Sequence, residues 1–147
     1  DDFRDKTLFS FAPTDVVDVQ ILIPGIDTLN WQRTDSLDLW NTNATFQLLP
    51  DAAVQQWLTT LQRLNKLPFA SHSDEAHVAE NLKAILVLHL RNQEEVLEIQ
   101  LYEMPGNSTA KNPFYLLQSS QNPLNFFMLG DISLARTLWT GPVVEGG

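Results

Sequence analysis

Between His72 and His77 the chain reads His-Ser-Asp-Glu-Ala-His, which puts two imidazoles and two carboxylates into one short stretch. Neutral imidazole and carboxylate oxygen are ordinary ligands for a divalent ion such as zinc, so metal chemistry would sit here if anywhere. The spacing argues against it. Helical zinc sites hold two histidines four residues apart so that both leave one face, whereas a separation of five turns the second by about 140°. Ser73 is also a good N-cap, which leaves His72 outside the helix and sets Asp74 and Glu75 against the positive end of its dipole. A solvated helix start is the plainer reading, and no metal or cofactor is expected.

His89 lies in the apolar run "ILVLHLR", on the phase of Val87 and Arg91 and opposite Leu86, Leu88 and Leu90. A catalytic base needs a nucleophile and an orienting partner, and no Gly-x-Ser-x-Gly elbow supplies one. A half-buried structural histidine, or one facing water, accounts for it. The glycine patterns that cradle phosphates are missing too, which argues against nucleotide chemistry. The chain has no cysteine, so thiolate nucleophiles, thiolate metal sites and disulfides are excluded.

Trp31, Trp40, Trp57, Trp139, Tyr102 and Tyr115 raise the question of a groove that stacks on a glycan or peptide. Trp57 sits on the apolar stripe of a helix and Trp31 on the apolar phase of a strand, so packing explains both. Trp40 falls on the phase of Asp38, opposite Leu37 and Leu39. It is therefore expected to cover a sheet edge or to meet a partner. Trp40, Trp139 and Tyr102 are the expected partner-contact residues.

The elements that position these groups follow from periodicity. Val17, Val19, Ile21 and Ile23 alternate with Asp18 and Gln20, as in a half-buried strand that Pro24-Gly25 ends. Segments around Leu29–Trp31, Leu37–Trp40 and Phe46–Leu49 continue as a meander. Pro50 and Asp51 open a helix whose apolar residues recur at Val54, Trp57, Leu58, Leu61 and Leu64, a stripe suited to covering a sheet. Ser73 caps a shorter helix in which Val78 and Leu82 lie one turn apart. Ile85–Arg91 and Glu95–Tyr102 form a hairpin, Phe114–Gln118 and Phe126–Leu129 are later strands, and Asp131 caps a closing helix that carries Ile132, Ala135 and Trp139. Strands, then helices, then strands again predict an α+β fold: a mostly antiparallel sheet with two or three helices packed largely on one face.

The 147 residues suit one domain, and 44% of them are hydrophobic, enough for a core. The formal charge of −9 repels phosphate backbones and anionic lipid headgroups, so nucleic acid is excluded as an expected partner. No apolar run reaches the length of about 20 residues that crosses a bilayer. Asn43-Ala44-Thr45 and Asn107-Ser108-Thr109 match the glycosylation acceptor pattern, with polar turns as the plainer reading.

The opening, "FRDKTLFSFAPTDVVDVQI", resembles the start of an uncharacterised bacterial family, domain-of-unknown-function family 4340, with its Arg-Asp-Lys, its proline turn, its Asp-Val and its first strand. The likeness continues through "PDAAVQQWLTTLQRLNKLPF", "AILVLHLRNQEEVLEIQLYE" and "FYLLQSS", and departs from the family pattern over Asn41 to Pro50. The resemblance implies an extracytoplasmic, membrane-tethered component, similar to auxiliary parts of gliding-motility-type ABC transporters, and it carries over no catalytic residue. On that reading residues 1–13 lead in from a tether preceding Asp1. Arg4, Asp5 and Lys6 stay in water, Leu8, Phe9 and Phe11 dock on the sheet, and Gly146-Gly147 end a disordered tail.

The expected function is a non-enzymatic interaction or scaffold module of a cell-envelope complex, with a transporter subunit as partner and contact with the membrane only through the tether. The alternatives are a small-molecule, glycan or peptide-binding module, and a hydrolase using His89 or His72 and His77.

Overall fold

The computed structural model describes residues 7–35, 38–44, 48–70, 78–105 and 113–143, the side chain of Ala79 excepted. Eight strands form one sheet: β1 Val16–Leu22, β2 Leu29–Arg33, β3 Leu39–Thr42, β4 Leu49–Pro50, β5 Leu82–Leu90, β6 Leu97–Met104, β7 Phe114–Ser119 and β8 Asn122–Leu129. Their order is β4-β3-β2-β1-β5-β6-β7-β8, and every pairing is antiparallel. Two four-stranded meanders are thus joined edge to edge through β1 and β5. The α+β class and the antiparallel sheet expected from the sequence are what the chain adopts.

Helix α1, Asp51–Gln62, occupies the link between the meanders. Pro50 stands one residue ahead of it, paired with Leu39 at the end of β4, so Asp51 is the residue that meets the positive end of the dipole. Val54, Trp57, Leu58 and Leu61 are buried, and Leu64 in the following 3₁₀ turn, Arg63–Lys66, continues the stripe. They share one core with Val19, Ile21, Leu86, Leu88 and Ile99 of the sheet and with Ala135 and Leu138 of α2, Ile132–Thr140. Full burial of each such side chain contributes about 1.5–3 kcal/mol. Helix α2 starts as expected: Asp131 Oδ1 accepts the Leu134 N–H at 3.1 Å.

A second, smaller cluster lies on the other phase of β6 and β7. Tyr102, Met104, Leu116 and Ala70 are buried there, with Val78, Leu82, Phe114 and Phe126 packed against them. Leu101 and Tyr102 are consecutive and both buried, so the sheet is covered on both sides at this end. The chain between α1 and β5 supplies part of the cover and also runs beside β8. Met128 N–H donates to Pro68 O and Ala70 N–H to Phe126 O, each at 2.9 Å, which occupies part of an otherwise open edge.

The expected helix from Ser73 differs from what is found. Residues 71–77 lie outside the described residues, Val78–Asn81 is a 3₁₀ turn, and Leu82 already belongs to β5, where it pairs with Tyr102. The four-residue spacing of Val78 and Leu82 arises because both reach the second cluster, not because a helix joins them. Strand β8 also begins four residues earlier than its apolar run, at Asn122. Pro123 disguises that start, yet a proline is admissible near the outer edge of a sheet. The β5–β6 hairpin turns through Asn92, whose φ of 63° supplies the left-handed residue that an Asn-Gly pair would otherwise provide.

Leu8 and Phe9 are buried as expected of the opening, and Phe9 stacks on Phe11 with centroids 5.4 Å apart. Side-chain amides hold this extended segment. Phe9 N–H donates to Asn65 Oδ1, Gln62 Nε2 to Phe11 O and Asn122 Nδ2 to Thr7 O, at 3.0, 3.2 and 2.9 Å.

Candidate functional site

Trp40, expected at an exposed edge, is wholly buried. Leu39 is only half-buried, so the apolar phase of β3 is the reverse of the one its leucines suggest. Leu37 lies outside the described residues. Trp40 turns inward because its surroundings satisfy both parts of the indole: the Arg33 guanidinium lies 4.7 Å from the ring centroid, and Nε1 donates to Asp51 Oδ1 at 2.9 Å. Tyr102 is also buried, in the second cluster, and Tyr115 is in the main core. Neither is exposed for a partner to stack on, and with Trp40 they form no common cleft. Trp139 is half-buried, with Tyr115 at 5.7 Å on one side and Lys83 Nζ at 4.7 Å from its ring. Its packing is accounted for by these two neighbours.

His72 and His77 fall outside the described residues. His89 is half-buried on β5, directly across from Asp18 on β1. That carboxylate is already engaged: Asn30 Nδ2 donates to one oxygen at 3.0 Å and Gln32 Nε2 to the other at 3.1 Å. Among the described residues no three His, Cys, Asp or Glu side chains converge as metal ligands.

Asp18 belongs to a broader surface. The half-exposed or exposed positions of the central strands align by register into rows: Gln32, Asp18 and His89, then Asn30, Gln20, Val87 and Glu98, then Leu22, Ile85, Gln100 and Gln118. Period-two alternation in each strand places all of them on the side opposite the main core. Amides and carboxylates dominate two of the three rows, and they bond to one another across and along strands.

One concavity on this surface is a pocket of about 190 Å³ lined by Glu98, Gln100, Gln118, Ser119, Ser120 and Pro123. A directed chain of hydrogen bonds builds its floor. Tyr102 Oη donates to Gln100 Oε1 at 2.6 Å, and Gln100 Nε2 donates to Glu98 Oε1 at 3.4 Å. Burial, with the Glu98 charge adding to it, holds the Tyr102 phenol above its ordinary range, so it remains a donor in this chain. Ser120 closes the rim, its N–H donating to Glu98 O at 2.8 Å while its Oγ accepts the Glu98 N–H at 2.9 Å. Gln118 is fixed by donating to Pro123 O. Glu98 Oε2 and Gln118 Oε1 accept from none of the described residues, and Gln100 and Gln118 each keep a second N–H, so the one charge in the pocket is the Glu98 carboxylate.

Two other hollows carry less chemistry. The cleft between α1 and α2 holds Arg63 and Asp131 with Thr59, Thr60 and Thr137, but each threonine hydroxyl donates into its own helix, to Gln55 O, Gln56 O and Ser133 O, and Asp131 Oδ1 caps α2. The hollow at the far end of β1 is apolar apart from Thr28, with Ile26 exposed beside it.

Neither the polar rows nor the Glu98 pocket is legible from one segment of sequence. Each strand shows its own polar phase, as in Glu98 and Gln100 between Leu97, Ile99 and Leu101. The strand order that brings β1 beside β5 is what assembles them. Comparison of the chain with protein-family models, with curated proteins and with solved structures finds no match.

Proposed function

We propose that this chain is a non-catalytic, extracytoplasmic interaction module that serves as a scaffold in a cell-envelope complex, with an ABC transporter subunit as its partner. The observation that carries the reading is the polar sheet face of Asp18, Gln20, Asn30, Gln32, Glu98, Gln100 and Gln118. On this view α1 and α2 pack on the opposite face and leave the polar one open for docking. Asn30, Gln32, Gln100 and Gln118 are held by side-chain hydrogen bonds before any partner arrives, which lowers the entropy lost on binding. Asp18 and Glu98 on the face, the exposed Glu94 and Glu95 beside it, and the net charge of −9 favour a partner with a basic contact surface. The compartment and the transporter are carried over from the resemblance of the opening to family 4340 alone.

Capture from detergent-solubilised envelope membranes with the full-length protein tests this. Gln20→Lys sits in the middle of the face, and Thr59→Lys sits on the exposed side of α1 as a control. Transporter subunits should be recovered with the native protein and the control, and lost with Gln20→Lys. Recovery indifferent to Gln20→Lys, or without any transporter subunit, rejects the reading.

A further inference from the structure

We infer that the Glu98 pocket receives a cationic side chain from the partner, arginine in preference to lysine. The inference rests on the docking role of the polar face and names the chemistry of one contact on it.

The argument begins with which hydrogen-bonding capacity remains unused. Gln100 spends its carbonyl on Tyr102 and one N–H on Glu98, and Gln118 spends an N–H on Pro123. Glu98 Oε2 and Gln118 Oε1 accept nothing from the described residues, and Ser120 Oγ, which accepts the Glu98 N–H, retains a second lone pair. Around the hollow the second N–H of Gln100, the second N–H of Gln118 and the Ser120 hydroxyl remain as neutral donors, so it is the charge of the Glu98 carboxylate that selects a cationic donor. Guanidinium and ammonium are the side-chain groups of that kind.

Geometry favours the planar group. The acceptors come from β6, from β7 and from the turn that follows it, so they approach from different sides. A guanidinium presents five N–H donors in a fixed fork, while an ammonium concentrates three at a point. The Pro123 ring supplies an apolar wall for the methylenes behind the head group. The volume of about 190 Å³ accommodates a guanidinium and part of its stem, and not a folded peptide segment. Turn residues Glu94 and Glu95 stand exposed at the same end of the sheet and outnumber the exposed Arg91, so the local field draws a cation inward.

The test uses the full-length protein labelled with nitrogen-15 and Nα-acetyl-arginine methylamide as the probe. Saturable shifts are expected at the Ser119 and Ser120 amides and at the Gln118 side-chain amide, with a weaker response to the matching lysine amide and none to the norleucine amide. Glu98→Gln keeps the shape of the pocket and removes the charge, and the native-like spectrum serves as its check on folding. It should weaken arginine-amide binding at least about tenfold, since a hydrogen bond to a charged group is worth about 1.5–3 kcal/mol. Absence of saturable shifts, or equal binding by Glu98→Gln, overturns the inference. In the envelope capture, loss with Gln20→Lys but full recovery with Glu98→Gln also overturns it while leaving the docking face standing. Arginine-amide binding that depends on Glu98, with capture indifferent to Gln20→Lys, upholds the pocket and removes the docking face.

Discussion

Trp40 Nε1 lies 2.9 Å from Asp51 Oδ1, and the same oxygen accepts Arg33 Nη1 at 3.0 Å, so one carboxylate at the start of α1 ties the helix to β2 and β3. Arg33 extends the tie to β1 by donating from Nε and Nη2 to Val16 O. The cluster fixes the angle at which the chain leaves the first meander and enters the helix.

Asp51→Ala should therefore lower stability by about 2–3 kcal/mol. The Arg33 side chain is only 9% exposed and would lose its bond to this carboxylate, while Asp51 at 31% exposure keeps the loss below that of a fully buried pair. Asp51→Asn retains an acceptor for the indole and should lose roughly half as much. Arg33→Met added to Asp51→Ala should recover part of the deficit, because the cation that Asp51 helped to balance is then removed as well. Urea unfolding midpoints at constant slope check all three.

Legibility in the sequence tracked how far each signal reaches along the chain. Helix α1 was legible because its stripe, from Val54 to Leu61, spans about two turns at the helical period, and the buried residues are those the spacing marks. Strands β1, β5 and β6 were legible for the same reason at period two. Strand β3 was not, since it has four residues and the polar partners that draw Trp40 inward come from β2 and α1. The second cluster escaped as well. Tyr102 and Met104 follow Leu97, Ile99 and Leu101 on the opposite phase, and only the chain folded back through Ala70 and Val78 shows why those positions are apolar. The Glu98 pocket depends on the β6–β7 register and on the turn at Ser120, both contacts between segments distant in sequence.

The two buried tryptophans of the first meander should respond differently to loss of the indole nitrogen. Trp31 Nε1 is, among the described residues, the buried side-chain polar atom with no hydrogen-bond partner, whereas Trp40 Nε1 is paired. Both phenylalanine substitutions lose volume, but Trp40→Phe also strips a bond from a carboxylate. Trp40→Phe should be the more destabilising by about 1 kcal/mol. Thermal unfolding of the two variants side by side decides it.

Alkaline pH should weaken the fold through its tyrosines. Burial, then the Glu103 charge and the bond from Tyr115 Oη to Glu103 Oε2, hold the Tyr115 phenol above its ordinary value of 10.0, against a smaller opposite pull from Arg136. Tyr102 is raised in the same direction by burial and by Glu98. A phenol that resists ionisation in the folded state contributes stability that is fully present below about pH 10 and is lost as pH rises through the folded-state value. Tyr115→Phe should flatten that decline without abolishing it, because Tyr102 remains. Unfolding free energy followed through the alkaline range, beside the near-ultraviolet absorbance of tyrosinate, measures both effects.

Gly141 ends α2 at φ 80° and ψ −176°, a conformation open essentially to glycine alone, and its N–H donates to Thr137 O. A Cβ here would collide with Trp31 Cη2 and would stand 2.7 Å from Cζ2 and 2.9 Å from Ile21 Cδ1. Gly141→Ala should thus combine backbone strain with overpacking, a loss of about 2–4 kcal/mol. The two causes can be separated. Trp31→Phe removes the ring atoms the new methyl would strike but leaves the dihedral angles unchanged, so the double variant should be more stable than the sum of the single losses predicts. Strict additivity would mean that the indole does not set the closeness of α2 to β2, and that the backbone alone demands glycine at this position.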